Sequence, residues 1–135
     1  MENRIVHPTV LVVVKDAATV AAIGEAAAVH GLHTRTCDTT EQAGKLLAGP
    51  APWAALIVDP GLEANQGLVL LRKVRASRAA LPILCIASAP DELVTSDAYR
   101  AGIRDLLVAP VSADELASAL AALVPLQLRM EELAP

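Results

Sequence analysis

Two hydrophobic patterns alternate along the chain. Short continuous apolar runs are separated by longer segments with helical spacing. Val10-Leu11-Val12-Val13-Val14 is the first run, rich in β-branched side chains, and it predicts a strand buried on both faces. Ala17 to His30 then predicts an Ala-rich helix closed by Gly31. Leu32 to Thr36 reads as a short second strand. Asp38, Thr39, Thr40 and Glu41 are N-cap candidates for a helix over Gln42 to Ala48, which Gly49-Pro50-Ala51-Pro52 breaks. Trp53 to Val58 is the third strand run, and Asp59-Pro60-Gly61 is a turn signal.

The alternation continues through the second half. Leu68, Leu71 and Val74 form a helical stripe, with Arg72, Lys73, Arg75 and Arg78 mostly off it. Ile83 to Ala87 is the fourth strand. Ser88-Ala89-Pro90-Asp91-Glu92 opens a helix with Pro and acids in its first turn, Ser88 reading as its cap and Gly102 as its stop. Asp105 to Val108 is a fifth, short strand. Ser112 caps a last helix over Ala113 to Val124, and Glu115 completes a capping box. Pro125 ends that helix.

Strands and helices in strict alternation, joined by short loops, specify a parallel sheet covered on both faces. The predicted class is α/β: a doubly wound (βα)5 flavodoxin-like fold with five parallel strands in order 2-1-3-4-5. Residues 9–124 form the domain. Residues 1–8 are an N-terminal tail, and 125–135 are either a short terminal helix or the beginning of a linker. Functional groups in such sheets gather at the carboxyl ends of the strands. That places Val14-Lys15-Asp16, Asp59, Ala87-Ser88 and Ala109-Pro110 around one crevice.

Composition sharpens this picture. The 135 residues suit one domain, and with no Phe, only Tyr99 and only Trp53 the core must be aliphatic. The net charge is −4 and the basic residues are scattered, which argues against a nucleic-acid partner. No apolar run approaches the roughly 18 residues of a membrane span, and the N-terminus has no signal-like apolar stretch. A cytoplasmic protein without a membrane partner is expected. Cys37 and Cys85 stand far apart, outside any CxxC pattern, and read as reduced structural thiols. His30 and His33 flank Gly31 without a third ligand, so no metal site is expected there.

Several pieces together resemble a known family. They are Val10-Leu11-Val12-Val13; Leu56-Ile57-Val58-Asp59 with Gly67-Leu68; Leu81-Pro82-Ile83-Leu84-Cys85-Ile86; and Ala101-Gly102-Ile103-Arg104-Asp105 with Ala109-Pro110. In order and separation they resemble the receiver domain of bacterial response regulators, over roughly Thr9 to Val124. The resemblance implies that Asp59 matches the aspartate that accepts a phosphoryl group from a histidine kinase. It also implies four supporting positions. Two adjacent acids that hold a divalent cation match Val14 and Lys15. A Thr or Ser at the end of the fourth strand matches Ala87. A Lys before a cis-Pro matches Ala109, before Pro110. Asp16 and Ser88 neighbour two of these positions. Glu63 and Gln66 replace residues the family often has as Pro and Asp.

One of the five chemical positions therefore survives. Lys15 restores a cation near Asp59, and a Lys15–Asp59 ion pair is expected in place of metal and phosphate. The expected function is a pseudo-receiver: a non-enzymatic module of a two-component phosphorelay that works by protein–protein interaction and needs no cofactor. The alternative is a working phospho-acceptor at Asp59, with magnesium as its cofactor. A flavodoxin-type ligand binder ranks last, because Val14 to Thr19 contains no Gly for a phosphate loop. Expected partners are a protein or a tethered output or kinase domain. By family analogy, a weak homodimer could use the fourth helix, fifth strand and fifth helix. That face would draw on Tyr99, Arg100, Arg104, Asp114 and Ser118.

Overall fold

Five strands alternate with five helices in a computed structural model that describes residues 8–124. Residues 1–7 of the expected 1–8 tail, and all of the expected tail 125–135, lie outside the described residues. The order is β1 (Thr9–Val13), α1 (Ala17–Val29), β2 (His33–Cys37), α2 (Thr40–Ala48), β3 (Ala55–Val58), α3 (Leu62–Ser77), β4 (Ile83–Ala87), α4 (Glu92–Arg100), β5 (Asp105–Val108) and α5 (Ala113–Leu123). The strands form one parallel sheet in the predicted order, β2-β1-β3-β4-β5.

Strand periodicity sends alternate side chains to opposite faces. Leu11, Val13, Leu56, Val58, Ile83 and Cys85 pack under α2, α3 and α4. Val10, Val12, Ala55, Ile57, Leu84 and Ile86 pack under α1 and α5. The central strands are thus buried on both sides, which is why they read as continuous apolar runs. Both cysteines are free and buried. Burial pushes the Cys85 thiol up to about 12, with a smaller push from the nearby Asp59 charge. Among the described residues no helix is long and apolar enough to cross a membrane.

Several boundaries differ from the sequence expectations. Trp53 precedes β3 and is half-buried, its indole N–H donating to the Leu46 carbonyl at 3.3 Å. The cap of α4 is Asp91, whose carboxylate accepts from the Val94 N–H at 3.1 Å; Ser88 does not cap it. A carboxylate at the helix N-terminus also meets the positive end of the macrodipole. The α5 capping box formed as expected, with Ser112 accepting from the Glu115 N–H and Glu115 from the Ser112 N–H, both at 3.1 Å.

The largest departure opens α3. Glu63, Ala64 and Asn65 carry positive φ values of 53°, 54° and 69° before the regular helix begins. Left-handed backbone is costly for residues with a Cβ, so three in succession form a distinct turn and not a frayed helix end. Gly67 then brings α3 against the end of β3. A Cβ at Gly67 would overlap the Asp59 carbonyl oxygen and lie 3.0 Å from both its carbonyl carbon and Pro60 Cα. The Leu68 N–H donates to the Pro60 carbonyl at 2.9 Å, fixing this close approach.

Candidate functional site

The strand register assembles the crevice. Val13 pairs with Val58, and the Asp59 N–H donates to the Val13 carbonyl at 3.1 Å. Ala87 pairs with Val108, and the Ala109 N–H donates to the Ala87 carbonyl at 2.8 Å. Val14, Asp59, Ser88 and Ala109 therefore share one edge of the sheet. Two adjoining cavities lie there. One, of about 240 Å³, is walled by Val14, Lys15, Asp16, Asp59, Glu63 and Ile86, among others. The other, of about 380 Å³, runs from Asp16 and Ala22 to Pro110 and Val111. Asp16, Thr19, Ser88 and Ala109 border both. On the β4 side the wall is Ile86 and Ser88, while Ala87 is buried. The Ala109–Pro110 peptide is cis.

Asp59 is only 5% exposed. Its Oδ1 accepts the Gly61 N–H at 2.9 Å, closing a turn over Pro60. The expected ion pair with Lys15 is not formed: among the described residues no Lys15–Asp59 contact falls within 4 Å. Lys15 is exposed, and its charge acts on Glu63 instead. The reason is direction. Lys15 follows β1 at the mouth of the crevice, whereas Asp59 is tucked beneath the turn that its own carboxylate holds.

Glu63 is the residue that sequence reasoning undervalued. Its carboxylate accepts the Thr40 N–H at 2.7 Å, joining the left-handed turn to the first residue of α2. Hydrogen bonds from Thr40 hold the Glu63 carboxyl below its ordinary range, and Lys15 adds a smaller push in the same direction. Its replacement of the family's usual Pro was a signal that the loop differs, but not of what it touches.

Asp16 borders the crevice but its carboxylate is engaged in capping a helix. Its Oδ2 accepts from the Thr19 hydroxyl at 2.6 Å and the Thr19 N–H at 2.9 Å, capping α1. Those bonds hold the Asp16 carboxyl below the usual range, the hydroxyl contributing most. A magnesium ion needs several free oxygen ligands. Here the matching positions are Val14 and Lys15, Asp16 is engaged with Thr19, and one oxygen of Asp59 is engaged with Gly61. This donor set does not fit the cation of the family. Among the described residues no cluster of His, Cys, Asp and Glu has metal-binding geometry.

No protein-family model matches this chain, and no curated protein does. Solved structures do. A response regulator receiver protein from Pseudomonas putida superposes with a TM-score of 0.76 at 28% identity, covering 87% of this chain and 98% of that one. A CheY-like receiver domain protein from Methanospirillum hungatei gives a TM-score of 0.79 at 16% identity, over 94% and 99%. The chain has the fold of response regulator receiver domains. NtrX from Brucella abortus, solved in complex with ADP, matches 93% of this receiver with 28% of its own chain, at 23% identity and a TM-score of 0.76.

The expected partner face divides into unlike parts. Arg100, Arg104 and Ser118 are exposed. The Tyr99 hydroxyl donates to Asp105 Oδ1 at 2.9 Å and accepts the Leu106 N–H at 3.2 Å, strapping α4 to the edge strand β5. Burial, then the hydrogen bond to Asp105, raises the Tyr99 phenol above its ordinary value. Asp114 lines a groove toward α1.

Proposed function

We propose that this receiver is a pseudo-receiver of two-component signalling, acting by protein–protein contact without magnesium-dependent phosphorylation of Asp59. The observation that carries this reading is the state of the crevice polar groups. The acceptor is buried and hydrogen-bonded to Gly61, and the residues at the cation-binding positions are Val14 and an exposed Lys15 that is not paired with it. A phosphoryl group there would meet no acid at the Val14 and Lys15 positions and no lysine at Ala109, while Asp16 and Glu63 nearby are engaged with Thr19 and Thr40. The module would instead present a fixed surface to a protein or a tethered domain. The NtrX match, in which a receiver fills about a quarter of a longer chain, is a precedent for tethering.

Incubation with acetyl phosphate and magnesium, read by intact mass, tests the reading. An unchanged mass is expected. A phosphoryl adduct that disappears in Asp59→Ala would replace it with the phospho-acceptor alternative.

A further inference from the structure

Asp59 is the one buried charged side chain among the described residues. Both oxygens of a carboxylate accept hydrogen bonds, and buried charges are ordinarily paired. Oδ1 of Asp59 accepts the Gly61 N–H at 2.9 Å. Oδ2 has no hydrogen bond or ion pair among the described residues. Asp59 walls the crevice cavity of about 240 Å³, the space from which a partner for Oδ2 can come.

The surroundings select a cation. Asp16 and Glu63 border the same cavity, and Lys15 is the one basic residue among its walls. Acids outnumber the lysine there, and the apolar walls focus their field. Lys15 is exposed and pairs with none of them within 4 Å. The form of the cation follows from the one open oxygen. A guanidinium fork needs two acceptors side by side, whereas an ammonium is a compact point charge that one oxygen can hold. A divalent ion needs several open oxygens, and Asp16 and Glu63 are bonded to Thr19 and Thr40. The body attached to the cation is set by the adjoining cavity of about 380 Å³, a size that small-molecule sites have. Its walls include Ala18, Ala22, Pro110 and Val111, which suit an alkyl chain. Ala109 borders both cavities and ends at a methyl, too short to bring a polar group of its own to Asp59.

We propose that the crevice binds a small primary alkylammonium compound. Its ammonium donates to Asp59 Oδ2 and to the Ser88 hydroxyl, and its alkyl chain lies along the apolar walls of the larger cavity. Bound there, it ties Asp59 at the end of β3 to Ser88 after β4 and Pro110 after β5. The proposal gives the pseudo-receiver a ligand and rests on that reading, because only an unmodified Asp59 can receive the ammonium.

The test is an amide NMR titration of the full chain with n-pentylamine at neutral pH, without magnesium or a phosphoryl donor. Saturable shifts are expected at Asp59, Gly61, Ser88, Ala109 and Val111, with a Kd of roughly millimolar order for so small a ligand. 1-Pentanol, of the same length without the charge, should bind about tenfold more weakly or worse. Asp59→Asn keeps an acceptor for Gly61, removes the charge and should lose as much. Ala109→Lys puts a tethered ammonium at the border of both cavities and should abolish binding, which keeps the test open if Asp59→Asn does not fold. Nα-acetyl-lysine amide should bind more weakly than pentylamine; equal binding would overturn the free amine in favour of a partner's lysine. The absence of a saturable shift, equal binding of pentanol or undiminished binding by Asp59→Asn overturns the proposal. So does magnesium displacing the amine from the same amides, which would make this a metal site. Intact mass after acetyl phosphate treatment decides the underlying reading separately. An adduct on Asp59 sinks the pseudo-receiver, whereas an unchanged mass with no amine binding sinks this proposal alone.

Discussion

The two helical layers that sandwich the sheet are built differently, and glycine shows it most directly. In the α2–α3–α4 layer, Gly67 is jammed against the backbone of Asp59 and Pro60. In the α1–α5 layer, Gly24 has nothing within 4 Å of where its Cβ would stand. Polar links follow the same division. Arg75 donates to the carbonyls of Ala101 at 3.2 Å, Gly102 at 3.0 Å and Ala79 at 2.6 Å. Arg78 donates to Leu47 at 3.0 Å and Gly49 at 3.1 Å. Arg72 pairs with Asp97 at 3.4 Å. Between α1 and α5 the packing is apolar, with Ile23 and Ala27 clustered with Leu116, Ala119, Leu120 and Leu123. One layer is welded by guanidinium groups onto the carbonyl ends of its neighbours; the other rests on aliphatic contacts of Ile, Leu and Ala and leaves Val29 exposed.

The sharpest way to break the comparison is to give both glycines a methyl. Gly67→Ala must push α3 off the end of β3, because the obstacle is backbone and cannot rotate away. A loss of about 3 kcal/mol or more is expected, in the range of severe overpacking. Urea denaturation followed by Trp53 fluorescence measures it. A near-neutral Gly67→Ala would mean that α3 does not approach β3 as closely as described. The crevice should loosen too, since the same contact fixes the backbone beneath Asp59.

Next in size is the arginine weld. Arg75→Ala removes a charged donor from four carbonyls, those of Arg78, Ala79, Ala101 and Gly102, at the ends of α3 and α4. Hydrogen bonds to charged groups contribute about 1.5–3 kcal/mol net, so a loss of about 2 kcal/mol is expected. Arg75→Lys should recover little of it, because an ammonium cannot reproduce the planar fork. Full recovery by lysine would show that charge, and not geometry, joins the elements.

How far these features were legible in the sequence follows the same physics. The sheet was legible, because strands buried on both faces must be apolar throughout, and Val10 to Val13 and Ile83 to Ala87 are. The position of Asp59 was legible, because it follows such a run and precedes Pro60-Gly61. Where its neighbours point was not. A one-residue change in a turn redirects a side chain entirely, so Lys15 could be placed near the crevice but not assigned to Glu63 over Asp59. The cap at Asp91 and the misread cap at Ser88 differ by three residues in a stretch where each has a suitable oxygen. The left-handed run at Glu63, Ala64 and Asn65 had almost no signal, since only Asn commonly adopts that region. Gly67 was noted for its spacing from Asp59, but spacing did not reveal that it is a contact.

A smaller effect of opposite sign belongs to the open layer. Gly24→Ala adds a methyl in free space on a helix, and should stabilise by about 0.5–1 kcal/mol through backbone entropy alone. A shift of the urea midpoint upward, with unchanged slope, is the expected result. Destabilisation would mean that α1 lies against something at Gly24, which for an outward helix face points to self-association.

The smallest effects concern two exposed carboxylates, one in each layer. Asp16 bonds Thr19 within a single helix cap, whereas Glu63 bonds Thr40 across 23 residues and joins α3 to α2. Both carboxyls are held below their ordinary values in the fold. A depressed folded pKa means the unfolded chain binds the proton more readily. The stabilisation is therefore full above the unfolded value, near 4, and fades as pH falls through the folded one. Carboxyl NMR titration separates the two. Thr19→Val removes the larger of the two bonds on Asp16 and should raise its pKa toward the ordinary range. Lys15→Met removes only the lesser contribution at Glu63, since Thr40 remains, and should raise that pKa less. If Lys15→Met moved Glu63 as far as Thr19→Val moves Asp16, charge at the crevice mouth would outweigh the Thr40 bond. The link between α2 and α3 would then depend on Lys15, and the two layers would differ less than their hydrogen bonds imply.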